Sequence, residues 1–250
     1  MAAGPSRPRK RTIMRLLAAA AVLVVAAFLL LYFVVFPTSS PKPFKLTPGA
    51  TAAGTSTAPA TTTATTTTAA ASSGRWVIAG GSQAGYRVRE KLAFLPAESD
   101  AVGRTSQVTG GAAIVRSAHS VTISTASFVV AVNTLKSDRS MRDEKIHEIG
   151  LESDRYPNAT FVLSRPVTVP LASLQGKVAR VPVTGTFNIH GTARPETLPV
   201  ELGLSGSTLQ AVGALSFPWG AFGMTAPSVG GFVNVTETAT MEFDLRLQRA

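Results

Sequence analysis

Few residues in this chain could do chemistry, and their types and spacing exclude most of it. There are three histidines and no cysteine. His119 and His147 have no carboxylate or second histidine at ligand spacing, so no metal site is expected. His190 lies on the polar parity of its strand beside Gly191, where a surface or turn-stabilising role is expected over a catalytic one. No Gly-x-Ser-x-Gly elbow occurs, and no histidine is placed to activate a serine. The glycine-rich stretches lack the Lys-Ser/Thr of a phosphate loop, and no dinucleotide fingerprint follows a strand. Catalytic residues and a bound cofactor are therefore not expected. Three charged residues still matter. Glu90 shares the parity of Tyr86, Val88, Leu92 and Phe94, a face on which desolvation disfavours a bare carboxylate. It is expected either to meet a ligand or an arginine, or to end its strand in solvent. Arg142 and Asp143 either grip a polar group through the guanidinium fork or form a loop-ordering ion pair.

The elements that must position these residues are strands. Val235, Ala239, Met241, Phe243, Leu245 and Leu247 share one parity, and Thr236, Thr238, Thr240, Glu242, Asp244, Arg246 and Gln248 the other. Only Glu237 breaks the apolar face. A dyad of that length is a strand with one face buried and one in water. Residues 181–190 and 198–204 repeat the pattern, and weaker candidates lie at 84–95, 106–116, 119–131, 159–165 and 208–217. About eight short strands separated by glycine turns predict an all-β fold, an antiparallel sandwich or barrel. The charged stretch 138–152 predicts a short helix or a loop across a barrel mouth, and Tyr156-Pro157 a turn that aims the next strand. An eight-stranded barrel is either filled by its own side chains or holds one small ligand or acyl chain.

Before this domain the chain changes character. Residues 16–36 are an uncharged apolar run of 21, about 31 Å long as a helix and enough to cross a hydrocarbon core. The first fifteen residues carry Arg7, Arg9, Lys10, Arg11 and Arg15 and no acid, which predicts a cytoplasmic N-terminus and an extracytoplasmic remainder. The run lacks the short apolar region and small-x-small site of a cleaved signal peptide, so an uncleaved single-pass anchor in the cell membrane is expected. Residues 37–74, rich in Thr, Ala, Ser and Pro, cannot bury enough surface to order themselves and read as a disordered linker. The organisation expected is a basic tail at 1–15, a transmembrane helix at 16–36, a linker at 37–74 and a barrel domain at 75–250. Of the net charge of +10, the tail carries +5 and residues 37–74 carry +2, since residues 75–250 hold 17 Lys and Arg against 14 Asp and Glu. Without a basic run and interleaved aromatics, nucleic-acid binding is not expected.

Several segments of residues 76–248 resemble, in order, the YceI-like polyisoprenoid-binding family. They are Trp76-Val77-Ile78, Ser82 leading into Tyr86-Arg87-Val88, Val108-Thr109-Gly110, Arg142-Asp143, and Arg155-Tyr156-Pro157 running into Thr160-Phe161. Gly185-Thr186-Phe187-Asn188-Ile189-His190-Gly191 is similar to the family's G-x-L-T-I-H-G strand, and Phe222-Gly223-Met224 to its D-F-G-M segment. The resemblance implies an eight-stranded lipocalin-like barrel whose apolar cavity takes an isoprenoid-type lipid or quinone outside the cytoplasmic membrane. The cavity wall it implies comprises Trp76, Tyr86, Val88, Phe94, Phe161, Phe187, Trp219, Phe222 and Met241, with Glu90, Arg142 and Asp143 at the mouth near the headgroup. The chain departs from the pattern at its polar positions. Glu90 stands where the family often has histidine, Glu144-Lys145-Ile146 replaces the end of R-D-x-H-L, and Ala221 replaces the aspartate of D-F-G-M. A different headgroup is one consequence; a filled barrel docking an envelope protein is the alternative.

Overall fold

Dyad alternation is realised as one antiparallel sheet that closes on itself. The computed structural model describes Leu23 and residues 40–46, 72–93, 98–229 and 233–250. Among these, twelve strands occur: β1 (Ser72–Ile78), β2 (Gln83–Leu92), β3 (Ser99–Thr105), β4 (Val108–Arg116), β5 (Ser120–Ala131), β6 (Asn158–Leu163), β7 (Val167–Pro170), β8 (Ala179–Ile189), β9 (Thr192–Ser205), β10 (Thr208–Pro218), β11 (Ser228–Val229) and β12 (Val233–Arg249). Several are halves of one stave. β1 and β2 both run antiparallel to β12, on either side of the turn at Gly80-Gly81. β3 and β4 continue one another alongside β2 and β1, as β6 and β7 do alongside β5. Counted this way, eight staves follow one another in chain order, and Trp76 opposite Arg249 closes the cylinder. Closure leaves the barrel wall no open edge.

The apolar parities expected from the sequence point inward. Leu245, Leu247, Val183, Phe187, Leu198 and Val200 are buried in one core. Glu237 interrupts the last strand because the register of β12 against β2 jumps between Val235 and Ala239, a bulge in which Glu237 is exposed. β3 is missed by alternation because Ala101, Val102 and Gly103 are buried in succession. β1 begins within the stretch read as linker, and β9 reaches back to Thr192 through a polar run that pattern alone leaves as a loop.

One end of the barrel is capped by the segment between β5 and β6. It contains a 3-10 turn (Val132–Thr134), a helix α1 (Ser140–Lys145) and a turn of π-helix (Ile146–Gly150), as the charged stretch predicts. His147 braces this cap: its Nε2 donates to the Leu135 carbonyl at 3.2 Å, and its Nδ1 accepts from the buried Ser153 hydroxyl at 2.7 Å. His190 and Gly191 both have positive φ and make the two-residue hairpin between β8 and β9. The Glu152 carboxylate, 3.2 Å from Nε2, and the Tyr156 ring, its centroid 4.3 Å away, flank His190 at this turn.

Within the stretch read as linker, residues 41–46 lie against the outer wall. Arg87 donates to the Pro41 carbonyl and Arg104 to that of Lys42, while the Arg104 guanidinium sits 3.9 Å over the Phe44 ring. The Leu46 side chain rests where a Cβ on Gly203 would stand. The same two arginines pair with Glu242, a carboxylate on the outward parity that is nonetheless buried. Among the described residues no helix is long and apolar enough to cross a membrane. The run 16–36 lies outside them apart from Leu23, as do Phe94 and residues 47–71.

Candidate functional site

Inward-facing staves leave space as well as core. The larger void, about 100 Å³, is lined by 24 residues, and of these only Thr160 is polar. Its walls come from every stave, with Ile114, Phe128, Leu163, Leu202 and Leu245 among them. A second void of about 60 Å³ lies toward the cap and touches Val132, Leu135, Ile146 and Leu151. Ala84, Val130, Ala159 and Met241 belong to both linings. The two voids therefore adjoin inside the barrel, and the largest side chain they share is that of Met241, which is unbranched and turns easily.

Two devices keep this lumen from filling. Alanines at 84, 112, 126, 159 and 211 occupy inward positions where larger residues would close it. Three aromatic rings also lie down along the wall instead of projecting across it. A Cβ on Gly103 would fall 2.3 Å from the Tyr86 ring, one on Gly185 2.1 Å from Phe161, and one on Gly213 2.6 Å from Phe243. Each ring covers a glycine on the neighbouring strand, so its bulk adds to the wall. Phe161 also packs against Phe187 at 4.8 Å between centroids.

The expected wall residues divide accordingly. Phe161, Phe187 and Met241 line the larger void; Tyr86, Trp219 and again Met241 line the smaller. Trp219 is fixed by its indole N–H, which donates to the Thr236 carbonyl in the β12 bulge at 2.9 Å. Trp76, Val88 and Phe222 line neither void: they pack in the core, Phe222 completely buried against Phe217. The inward alanines were missed because a small residue on an apolar parity carries no signal of the space beside it.

At the capped end Glu90 meets an arginine, one of the alternatives expected for it, whereas the ion pair expected between Arg142 and Asp143 does not form. Glu90 is only 5% exposed and so does not open to solvent. Arg142 of α1 reaches it, Nη2 to Oε1 at 2.5 Å and Nε to Oε2 at 3.4 Å, and also pairs with Asp138. Burial works against the Arg142 charge, but the Glu90 bond and the Glu90 and Asp138 charges outweigh it and raise its pKa. Asp143 does not pair with Arg142; its buried carboxylate accepts the Ser137 N–H at 2.8 Å and orders the approach to α1. Tyr86 stands beside this cluster. Its hydroxyl is buried with no partner in hydrogen-bonding geometry, and burial raises its pKa, with Asp143 and Glu90 adding to the effect against Arg142. The neighbouring Ser137 hydroxyl donates to the Arg139 carbonyl and accepts from the Arg139 N–H, and its nearness to Tyr86 offsets part of that rise.

A closed eight-stave barrel with an inner apolar void and a charged cap is what the motifs implied. The model of the YceI-like domain matches residues 76–247. The chain belongs to the YceI-like domain family. Among solved structures, a polyisoprenoid-binding domain from Saccharophagus degradans is similar at 16% identity, covering 71% of this chain and 99% of that one with a TM-score of 0.52. Burkholderia cenocepacia BcnA (19% identity, 65% and 95% covered, TM-score 0.44) and a Campylobacter jejuni YceI protein (11%, 84% and 99%, 0.37) are more distant in shape. Comparison with curated proteins finds no match. The first likeness establishes the YceI-like fold independently of sequence; among the described residues, that barrel is the whole architecture apart from residues 40–46 and Leu23.

Proposed function

We propose that this YceI-like chain binds an isoprenoid-type lipid or quinone in its barrel, outside the cytoplasm, tethered by residues 16–36. The observation that carries the reading is the larger void, about 100 Å³ with an almost wholly apolar lining. Such a space favours a hydrocarbon tail, since each buried CH₂ contributes about 0.8 kcal/mol without any directed contact. Family membership supports it, as does the polyisoprenoid binding named for the Saccharophagus degradans domain. Where ~10–15 Å³ of such space holds a water, the void has room for a short stretch of hydrocarbon; a longer tail requires Met241 to turn and join it to the second void. The uncharged run and its Arg/Lys flank support the anchor and its orientation.

Native mass spectrometry of the full chain, released gently from its own membranes, tests the reading. The expected result is a bound mass of several hundred daltons, lost on denaturation and soluble in organic solvent. A clean apo mass, unchanged after incubation with polyprenyl phosphates and quinones, would leave the alternative, a filled barrel that works through its outer wall.

A further inference from the structure

The chemistry of the capped end bears on which headgroup such a lipid carries. Among the described residues lining the two voids there is no Lys, Arg, His, Asp or Glu. The cation that the sequence offers for a phosphate, Arg142, is spent on Glu90 and Asp138. Glu90 and Asp138 stand against it, the Asp143 carboxylate is held by the Ser137 N–H, and Arg139 approaches Asp138 at 3.9 Å. A phosphate entering here would lose its water, face carboxylates, and have to break a buried ion pair to find a counter-charge. A neutral group would not. For a neutral acceptor the site holds the Tyr86 hydroxyl, buried between the smaller void and the charged cluster, beside the Ser137 hydroxyl but with no partner in full hydrogen-bonding geometry.

We propose that the capped end selects a neutral headgroup that accepts a hydrogen bond from Tyr86, such as the carbonyl of an isoprenoid quinone, over a phosphate-bearing one. This rests on the reading of the barrel as an isoprenoid binder. The tail lies along the larger void and the head stops below α1, where the Tyr86 O–H donates to the ligand oxygen. Glu90 acts as a selectivity residue by neutralising Arg142.

The test measures dissociation constants of the full chain in detergent for a quinone and a polyprenyl diphosphate with tails of equal length. The quinone is expected to bind at least tenfold more tightly. Tyr86→Phe, which keeps the ring over Gly103, is expected to weaken the quinone by roughly five- to tenfold, the worth of one hydrogen bond, and to leave the diphosphate unchanged. Glu90→Gln, which frees the Arg142 charge, is expected to improve the diphosphate; melting curves confirm that both variants fold. Equal or tighter binding of the diphosphate by the natural chain, or no effect of Tyr86→Phe on the quinone, overturns the headgroup assignment while lipid binding stands. If neither lipid binds, the isoprenoid reading itself falls and the assignment with it.

Discussion

Glu90 and Arg142 show how a single pairing changes the meaning of a residue. On the strand Glu90 is a carboxylate on an apolar face, and alone it would be costly there. Given Arg142 it becomes half of a buried latch between the barrel wall and its cap. Removing one partner leaves the other charge in a poor environment, and Glu90→Ala is expected to cost about 3 kcal/mol in denaturant unfolding. The figure falls at the low end for a buried pair because Asp138 still faces Arg142. Replacing both residues by apolar ones of similar volume is expected to restore most of that loss. Tyr86 provides a pH signature. Its folded pKa is raised by burial above the unfolded value of about 10, so the folded state keeps its proton where the unfolded state has released it. Its contribution is complete below pH ~10, and stability falls by up to about 1.4 kcal/mol per pH unit above it. The melting temperature of Tyr86→Phe is therefore expected to fall less steeply between pH 10 and 11 than that of the natural chain.

At the level of elements, the strap formed by residues 41–46 attaches to the barrel through its main chain. Two carbonyls take guanidinium donors, Phe44 lies under Arg104, and Phe44 and Leu46 are half-buried while Lys45 between them is exposed. This is strand-like alternation without a ladder. It covers the arginines that neutralise Glu242, and so protects a buried ion cluster on the outside of the wall. The Thr/Ala-rich stretch after it is then bounded at both ends by the barrel, at Leu46 and at β1. Phe44→Ala is expected to free the strap, seen as faster trypsin cleavage after Lys45 and lost amide protection at Leu46, with the barrel still folded. Unchanged cleavage would mean that the contacts of Pro41, Lys42 and Leu46 hold it without the Phe44 ring.

For the whole molecule, closure determines what the interior can do. Eight staves enclose a lumen that side chains could fill, and here alanines and rings laid over glycines leave it open. Filling it should separate folding from binding. Ala112→Phe places a ring in the larger void; overpacking is expected to cost about 1–3 kcal/mol, which a closed barrel tolerates. The variant is expected to melt cooperatively and to lose the thermal stabilisation that an isoprenoid gives the natural chain. A retained shift would place the lipid elsewhere, on the outer wall or the cap.

Much of this protein was legible from local pattern, because local physics determines it. Period-two alternation in 181–190, 198–204 and 235–248 reports which side of a strand meets water, and short antiparallel strands joined by glycine turns admit few arrangements. The motifs around Gly185–Gly191 and Phe222–Met224 were enough to indicate the family. What only the tertiary structure decided were relations between residues far apart in the chain. The pairing of Glu90 with Arg142 joins β2 to a helix 52 positions away, and no parity rule predicts it. Trp76, Val88 and Phe222 differ from Phe161, Phe187 and Met241 only in which faces a void, a matter of packing across the lumen. The space itself depends on alanines and glycines, residues whose significance lies in atoms they lack. Sequence determines the wall because each strand buries its own face; the contents depend on how all eight faces meet.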